Sequence, residues 1–588
     1  MSTNISGKKR EALLSKIAEI KTFIEKNADE KNASQLLGYL GELSREVNGK
    51  KYGLVFEEHH EKIDELLEEN APVFIEDKKL FVDNGGELNF LLEGDNLASL
   101  KLLEKTHRGK IDVIYIDPPY NTGKEFIYND DLVDGIDDFK HSKWLSFMSE
   151  RLKISRGLLK DTGVILISID DNECCGLKIL CDEIFSEENF VSNFCVIRAE
   201  GGGMAKQVIK GHDYCLVYTK NINHFTPLAK EKDIRGKIIE KDGIKYWVQE
   251  DWLRKEFGKY GNCHYEELIK YKGEAFKKEI DEGIKKGEYI LIPKDNGLTV
   301  IGKLRRLDTD SSKFYSVLKH LNKNGVNELK ELGIDFDYPK PISLIHELVG
   351  GATFFNKSAT ILDFFAGSGT TGHAVLKLNA EDGGHRKFIL CTNNENNICR
   401  DITYQRLKTA ITGKRKDKSK YSDGLPGSLK YFKTDFIPIS EKMYYEYADE
   451  LLLHVRELVE LENAVNFDKD TSVAIVLDDD EMDEFIDKIC HSEIATNVDL
   501  ESHVKETLNQ VQGDRARVQG DKSRQYTNAN NGKRKIVGSS PTMTEGSPIK
   551  TLYLGHDVLL SSKQERILKA HNISVNVIPD YYYRELAL

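Results

Sequence analysis

Residues 111–123 read IDVIYIDPPYNTG, an almost uninterrupted apolar run that ends in an acidic residue, two adjacent prolines and a tyrosine. A strand that is apolar at nearly every position is typical of a parallel sheet, because helices cover both of its faces. Proline lacks a backbone N–H and restricts the residue before it, so the strand cannot continue past residue 117. The stretch therefore predicts a buried parallel strand with a stiff exit at residues 117–120.

Strands and helices alternate on both sides of this stretch. Further strands are predicted at residues 163–170, 215–220, 359–367 and 387–392, and helices at residues 144–159 and 177–185. Such alternation indicates an α/β fold with a doubly wound sheet. The rhythm stops at residue 221 and resumes after residue 335, so an insertion of roughly 115 residues interrupts one sheet.

The pattern divides the chain into seven segments. Leu13, Ile17, Ile20 and Ile24 recur at helical spacing near the N-terminus. Residues 505–548 contain VQGD twice and lack apolar periodicity, which predicts a disordered insert. The segments are a helical N-terminal region (1–85), the first half of the sheet (86–220), the insertion (221–335), the second half of the sheet (336–410), a C-terminal region (411–504), the disordered insert (505–548) and a C-terminal α/β segment (549–588).

The composition bounds the class of protein. A chain of 588 residues with 39% hydrophobic and 31% charged residues predicts a soluble globular protein of several domains. Its first residues, MSTNISGKKREALL, lack the apolar stretch of a secretory signal, which predicts a cytoplasmic location. The nine cysteines include no C-x-x-C pair, so we expect reduced thiols and no metal site. A net charge of −13 does not locate the basic residues and does not exclude a nucleic-acid partner.

The residues at the end of the first strand suit the activation of an exocyclic amino group. The carboxylate of Asp117 and the backbone carbonyl of Pro118 can each accept one N–H of adenine, which localises the nitrogen lone pair. Pro119 stiffens the turn that holds this carbonyl. Tyr120 can stack on a base that has been flipped out of the duplex. The alternative interpretation of the four residues is a rigid strand exit without a chemical task.

A second motif, DFFAGSGTT, ends the strand that begins near residue 359. Gly367, Gly369 and Gly372 fit G-x-G-x-x-G, a weak dinucleotide pattern, and no lysine follows that could make a phosphate-binding P-loop. Glu395 follows the next strand and is placed either to accept hydrogen bonds from a ribose or to be a surface carboxylate. The candidate ligand-binding residues of the motif are Asp363, Phe365, Ala366, Gly367, Ser368, Gly369, Thr370 and Thr371.

Three motifs in this order resemble the β class of DNA amino-methyltransferases. They are DPPYNTG (117–123), HSKWLSFMSERL (141–152) and DFFAGSGTT (363–371). YPKPISL (338–344) is similar to the segment that precedes the cofactor loop in that class. KYGLVFEEH (51–59), LLEGDNL (91–97), residues 139–173 and FKTDFI (432–437) resemble more narrowly the modification (Mod) subunit of Type III restriction-modification systems.

This resemblance implies a fold and a function. The fold is a permuted, doubly wound, Rossmann-like methyltransferase sheet that depends on S-adenosylmethionine, with a helical N-terminal region and a small C-terminal α/β unit. The activity is methyl transfer to N6 of adenine in double-stranded DNA, and the implied partners are a restriction (helicase-nuclease) subunit and a second copy in a homodimer. Asp95, in LLEGDNL, is then either a cofactor ligand or a turn-forming residue.

The insertion at residues 221–335 becomes the predicted target-recognition domain. Phosphate contacts by basic side chains are what duplex binding requires, and the alternative is a solvated basic face. The candidate residues are Lys303, Arg305, Arg306, Lys313, Lys319 and Lys323.

Four alternatives remain at this point. A solitary methyltransferase and an N4-cytosine methyltransferase share nearly the same chemistry, although the latter more often carries serine at the position of Asp117. A nicotinamide-dependent oxidoreductase explains the glycines but leaves Asp117 to Tyr120 without a role. A DNA-specificity subunit without catalysis is disfavoured because every catalytic position is intact.

Overall fold

The fold is described from a computed structural model. It covers residues 5–27, 56–122 apart from 58, 140–201, 208–256 apart from 235, 261–439 apart from 308, 454–490, 549–555 and 558–579, with a few positions between 36 and 44 and Leu451. The predicted insert at 505–548 lies outside the described residues. Among the described residues, no helix is long and apolar enough to cross a membrane.

The first half of the chain supplies most of a large central sheet. Its helices are α1 (Ile5–Asn27), α2 (Lys62–Glu69), α3 (Asn96–His107), α4 (Lys140–Leu158) and α5 (Cys174–Phe185). Its strands are β1 (Asn70–Glu76), β2 (Val82–Asp83), β3 (Leu88–Glu93), β4 (Ile111–Ile116), β5 (Leu159–Ile169), β6 (Phe190–Ile197) and β7 (His212–Thr219).

The insertion and the second half follow. The insertion holds β8 (Ala229–Glu231), β9 (Ile238–Lys241), β10 (Ile244–Gln249), α6 (Leu268–Lys272), α7 (Glu274–Lys286), β11 (Tyr289–Pro293), β12 (Thr299–Arg306), β13 (Ser311–Lys313), β14 (Val317–Lys319) and α8 (Asn322–Glu331). The second half holds α9 (Ile342–Ala352), β15 (Thr360–Asp363), α10 (Thr370–Asp382), β16 (Lys387–Thr392), α11 (Tyr404–Thr412) and β17 (Ser428–Pro438).

Strands from both halves form one sheet of eleven strands. Its order is β1-β17-β3-β16-β15-β4-β5-β7-β6-β14, with β2 beside β17. The six strands from β17 to β5 are parallel, and β7 is antiparallel to both of its neighbours. The predicted α/β fold is therefore confirmed, and so is the prediction that a single sheet is interrupted in sequence.

The strand β4 shows why its sequence is almost wholly apolar. Ile114 and Ile116 pack in the hydrophobic core on one face of the sheet, while Val113 and Tyr115 pack in the core on the other. Successive side chains of a strand point to opposite faces, so a strand covered on both sides needs apolar residues at odd and even positions.

The insertion folds around a core of its own. Strands β9 to β12 form an antiparallel sheet in the order β11-β12-β10-β9, and Leu253, Leu268, Ile280 and Ile301 are buried beside it. Its end, however, returns to the large sheet, because β14 pairs in parallel with β6. The predicted insertion at 221–335 therefore extends too far at its C-terminal end. The sequence does not predict β14, because this strand is too short to show periodicity.

Two further boundaries were wrong. Residues 1–85 are not all helical, because β1 forms a ladder with β17 and β2 joins the same strand. The second half of the sheet does not stop at residue 410, because β17 lies between β1 and β3. Both strands find their partners hundreds of residues away, so local sequence patterns do not reveal the pairing.

The C-terminal part contains the predicted small α/β unit. Its elements are α12 (Val455–Asn463), β18 (Val473–Val476), α13 (residues 479–490), β19 (Thr551–Leu554), α14 (Ser562–Ala570) and β20 (Ser574–Val577). The three strands form a parallel sheet in chain order. At the other end of the chain, Leu13 and Ile20 of α1 are exposed whereas Ile24 is buried.

Candidate active site

The two motifs meet where the sheet reverses its winding. The strands β4 and β15 are parallel neighbours, yet β4 leads through α4 to β5 on one side and β15 leads through α10 to β16 on the other. Their following loops therefore diverge and leave a crevice at the carboxyl ends of both strands, where ligands bind in open α/β sheets. Asp117 follows β4 at this crevice, and Asp363 ends β15.

The residues after β4 are held by side chains from distant parts of the chain. Tyr120 Oη donates a hydrogen bond to Asp117 Oδ1 at 2.8 Å. Lys340 Nζ donates to Tyr120 Oη at 2.6 Å and lies 3.3 Å from Asp117 Oδ1. Trp144 Nε1 donates to the Pro119 carbonyl at 2.7 Å, which fixes the turn that the prolines begin. The predicted catalytic residues are therefore together and oriented, with Lys340 between them.

A second carboxylate faces the same lysine. Asp213 Oδ2 lies 3.6 Å from Lys340 Nζ, and Asp213 Oδ1 lies 3.0 Å from Arg198 Nε. Burial raises the pKa of the Asp213 carboxyl, and the positive charges of Lys340 and Arg198 oppose that shift. A buried carboxylate is stable only with such counter-charges, because removal from water disfavours the ionised form.

Asp363 organises the loop that follows β15. Its Oδ1 accepts a hydrogen bond from the Phe365 backbone N–H at 3.0 Å, and its Oδ2 accepts one from Thr371 Oγ1 at 2.5 Å. Burial raises the pKa of Asp363 to about 7, although both hydrogen bonds act in the opposite direction. The carboxyl group thus closes the loop on itself and is only partly ionised at neutral pH.

The glycines of this loop serve different needs. Gly367 and Gly369 have φ values of +48° and +74°, a region that side chains with a Cβ rarely adopt. A Cβ on Gly372 would lie 2.7 Å from Leu407, so this glycine permits α10 to pack closely on α11. The pattern G-x-G-x-x-G therefore reflects two backbone turns and one helix contact.

A buried arginine, Arg406, also holds the loop that follows β15. Arg406 Nη1 donates to Ser368 Oγ at 3.1 Å and to Thr370 Oγ1 at 2.7 Å. Phe365 packs with its ring 5.7 Å from that of Phe147, which lies on α4. The backbone N–H of Ala366 donates a hydrogen bond to the Cys391 carbonyl of β16 at 3.1 Å. Contacts from α11, α4 and β16 therefore hold the loop.

The two outlying candidates lie at the ends of the adjacent strands. Asp95 follows β3 and caps α3, since its Oδ1 accepts hydrogen bonds from the backbone N–H groups of Leu97 and Ala98. Glu395 begins a short 3-10 turn, Glu395–Asn397, directly after β16 and is half-buried. The turn-forming alternative for Asp95 is thus observed, and a ligand-binding role for either residue stays a prediction.

Some of the basic candidates of the insertion have partners within the protein. Arg305 Nη2 lies 2.6 Å from Asp310, and Lys319 Nζ lies 2.6 Å from Glu200. An exposed ion pair contributes about 0–1 kcal/mol, so a phosphate can replace Glu200 beside Lys319. Asp310 is nearly buried and also accepts a hydrogen bond from Trp247, so it keeps Arg305 in place.

Three residues of the site were missed in the sequence. Lys340 stands in the segment YPKP, but nothing local shows which group its side chain reaches. Asp213, at the start of β7, carries no sequence signal at all. Arg406 lies within an amphipathic helix where an arginine is expected to face solvent, yet it is fully buried.

The strand order and the pair of motifs at the crevice define the Rossmann-like methyltransferase class. Residues 111–405 match the DNA methylase family, which is just over half of the chain. The chain therefore belongs to the DNA methylase family.

Several relatives are similar over part of the chain. The Type III restriction-modification enzyme StyLTI Mod subunit of Salmonella typhimurium is 35% identical in an alignment of 356 residues, and the match covers 53% of this chain and 53% of the relative. The Type II methyltransferase M.KpnI of Klebsiella pneumoniae is 33% identical in an alignment of 384 residues that covers 58% of this chain and 90% of the relative. The EcoPI Mod subunit of Escherichia phage P1 is 30% identical in an alignment of 391 residues that covers 53% of this chain and 58% of the relative. The chain spans little more than half the length of these Mod subunits.

Proposed function

We propose that this chain transfers a methyl group from S-adenosylmethionine to N6 of adenine in duplex DNA, as the modification subunit of a Type III restriction-modification system. The observation that carries the proposal is the meeting of Asp117 to Tyr120 with the loop 363–371 at the ends of neighbouring strands. A base held by the first motif and a methyl donor held by the second are then adjacent, so proximity and orientation contribute to the rate.

The acceptor half of the site activates the amino group. Asp117 accepts one N–H of the adenine amino group and the Pro118 carbonyl accepts the other. The lone pair is then localised on the nitrogen and is less delocalised into the ring. Tyr120 leaves its hydrogen bond with Asp117 and stacks on the flipped base. The nitrogen would gain the methyl group as the carbon–sulfur bond of the donor breaks and leaves a neutral thioether, and it would release one proton, for which Asp117 is the adjacent acceptor.

The donor half fits a cationic ligand with a carboxylate of its own. S-adenosylmethionine supplies an electrophilic methyl group on a positively charged sulfur. The loop 363–371 ends at the N-terminus of α10, which attracts a carboxylate. In its ionised form, the Asp363 carboxylate stabilises a nearby ammonium group of the donor. Glu395 and Asp95, at the ends of the adjacent strands, are placed to accept hydrogen bonds from the ribose and the base of the donor. The residues present therefore fit the donor.

Adenine is favoured over cytosine, and a Type III system over a solitary enzyme, by the residues and the relatives together. Asp117 stands where N4-cytosine enzymes more often carry serine. Two relatives above are named as Type III Mod subunits, whereas M.KpnI, named as a Type II methyltransferase, supports the solitary alternative. The family match disfavours a nicotinamide-dependent oxidoreductase, because it assigns the glycine loop to a DNA methylase.

The proposal also covers the DNA-binding residues, the protein partners and the location of the enzyme. The insertion from residue 221 to the start of β14, together with the basic side chains near β12 and β14, binds the target DNA. A helicase-nuclease subunit is the partner, a second copy completes a homodimer, and the protein acts on DNA in the cytoplasm.

Nucleoside analysis tests the reaction. The full chain is incubated with unmethylated genomic DNA and S-adenosylmethionine, and the digested nucleosides are analysed by mass spectrometry. We expect N6-methyladenine that is absent when the donor is omitted. N4-methylcytosine as the product, or no methylated base, would contradict the proposal.

A further inference from the structure

Lys340 is a nearly buried cation to which the mechanism above gives no task. Its side chain is 11% exposed, and its ammonium group lies 3.3 Å from Asp117 Oδ1 and 3.6 Å from Asp213 Oδ2. It also donates a hydrogen bond to Tyr120 Oη at 2.6 Å and lies 4.9 Å from the centre of the Tyr120 ring. One side chain therefore contacts two of the proposed base-binding residues, Asp117 and Tyr120, and a second carboxylate that has no assigned role.

The groups around Asp117 are mostly acidic or neutral. Those that interact with it electrostatically from β4, β7 and β15 are Tyr115, Tyr120, Asp213, Cys215 and Asp363. Asp213 has a second cation, Arg198, at 3.0 Å, and a further carboxylate, Asp170, acts on it. Among the described residues, Lys340 lies between Asp117 and Asp213. The negative charge of Asp117 raises the pKa of Asp213 and the positive charge of Lys340 lowers it, so the ammonium group offsets the repulsion between the two side chains.

The backbone of Lys340 is held by the donor half of the site. Thr370 Oγ1, at the start of α10, donates to the Lys340 carbonyl at 3.2 Å. Glu328 of α8 accepts a hydrogen bond from the Ile342 backbone N–H at 2.9 Å, and a Cβ on Gly325 would lie only 2.6 Å from the Pro339 carbonyl. Contacts from α10 and α8 thus hold the YPKP segment from both sides, so the backbone position of Lys340 is fixed.

Tyr120 and Lys340 contact the same carboxylate oxygen. The Tyr120 hydroxyl donates to Asp117 Oδ1 at 2.8 Å, and Lys340 Nζ lies 3.3 Å from the same atom. When Tyr120 moves to stack on the base, Asp117 loses this partner and keeps the ammonium group beside it. We propose that Lys340 is a positioning residue for methyl transfer, whose ammonium group holds the Asp117 side chain in place beside Asp213. This inference rests on the proposed function.

The pH dependence of single-turnover methylation by the full chain tests the inference. Rates are measured on unmethylated genomic DNA between about pH 5 and 9, with enzyme and S-adenosylmethionine in excess. Lys340→Met is expected to lower the rate by about 10- to 100-fold, because the acceptor is misplaced. The acid limb of its pH–rate profile should move to higher pH, since Lys340 lowers the pKa of Asp213 and that pKa rises when the lysine is removed.

Matched variants separate the charge of Lys340 from its packing. Lys340→Arg keeps the charge and should keep the acid limb of the wild-type protein. The double variant Lys340→Met/Asp213→Asn removes both charges and should return the limb toward its original position. Asp213→Asn alone leaves Lys340 beside Asp117 and should keep most of the wild-type rate.

The outcomes are distinguishable. A slow Lys340→Met variant with an unmoved acid limb would show a packing role and overturn the inference. If that variant does not fold, the double variant decides the question, because it also lacks the ammonium group that holds Asp117, and a wild-type rate there overturns the inference equally. A wild-type protein that makes no N6-methyladenine would instead overturn the proposed function on which the inference stands.

Discussion

Asp117 and Asp363 end neighbouring strands, but their carboxyl groups have different surroundings. Asp117 is partly exposed at the crevice and contacts Tyr120 and Lys340. Asp363 is buried and bonds to its own loop. The same residue type therefore serves as an acceptor for the target base at one strand end and as a loop organiser at the other.

Asp117→Ala should abolish methyl transfer and leave the binding of S-adenosylmethionine nearly unchanged. The reason is that the hydrogen bond and the ion pair of this side chain join it to Tyr120 and Lys340, in the proposed base site. Radiolabelled methyl incorporation into DNA measures the first effect, and calorimetric titration with the donor measures the second. Substantial turnover by the variant would show that Asp117 does not hold the amino group.

The affinity for S-adenosylmethionine should rise with pH through the pKa of Asp363, about 7. Because the pKa is raised, the free folded protein carries the neutral carboxyl below this value and the carboxylate above it. A cationic ligand prefers the carboxylate, so binding releases a proton, and the dissociation constant should fall about tenfold from pH 6 to pH 8.

Asp363→Asn is the control for this prediction. It cannot ionise, and its donor affinity should be weak and flat across the same pH range. Calorimetry in buffers of different ionisation enthalpy counts the released protons. A wild-type affinity that is independent of pH would place the cationic groups of the donor away from Asp363.

At the scale of elements, the loop between β15 and α10 depends on backbone shape. Gly369 precedes α10 with φ +74°, and a Cβ there would lie 3.0 Å from the Thr403 methyl group. Gly369→Val should therefore distort the loop and raise the dissociation constant for S-adenosylmethionine by at least about tenfold, since the left-handed conformation costs a non-glycine residue about 1–2 kcal/mol.

A second glycine on the same helix provides the comparison. Gly383 follows α10 with φ +65°, and nothing lies within 4 Å of a Cβ built there. Gly383→Val should lose a similar free energy of unfolding but bind the donor normally. Equal affinities of the two valine variants for S-adenosylmethionine would show that the loop 363–371 does not belong to the donor-binding site.

At the scale of the whole molecule, the recognition function is proposed to lie in a separately packed unit. Strands β9 to β12 and helices α6 and α7 share their own core, while β8 pairs with β13 at the base of the unit. Replacing residues 232–310 with the segment of a relative of different specificity should therefore transfer the specificity. β14 and α8 stay with the host, because β14 belongs to the large sheet.

Sequencing of methylated adenines in DNA treated with this chimera measures the result. Methylation of the relative's site is expected, with the donor affinity of the parent protein as the control for an intact catalytic half. Continued methylation of the original site would place recognition elsewhere in the chain.

Deleting residues 510–547 should leave methylation within about twofold of the full chain, because the segment lacks the apolar residues to pack. The 20 remaining residues between α13 and the described residue 549 are long enough to connect them, at about 3.3 Å per extended residue. Deleting residues 549–579 instead removes β19 and β20 and should lower the melting temperature. A comparable drop in the first deletion would show that the segment is structured.

The sequence by itself determined the parts of this protein that local pattern encodes. The apolar run of β4, the proline turn after it and the glycine loop after β15 were all predicted, because burial on both faces and unusual backbone angles restrict the residue types at each position. The order of the motifs, together with the family resemblance, gave the proposed chemistry.

Only the tertiary structure decided which distant residues share the crevice. Lys340 reaches Tyr120 across 220 positions of the chain, and the sheet is completed by β1 and β17, which lie at opposite ends of the catalytic part. In the sequence, Asp213 cannot be distinguished from any other acidic residue at the start of a strand. Its proximity to Lys340 is visible only in the structure. Such pairings depend on how the whole sheet packs, whereas sequence periodicity reports only whether a residue is buried and in which kind of element.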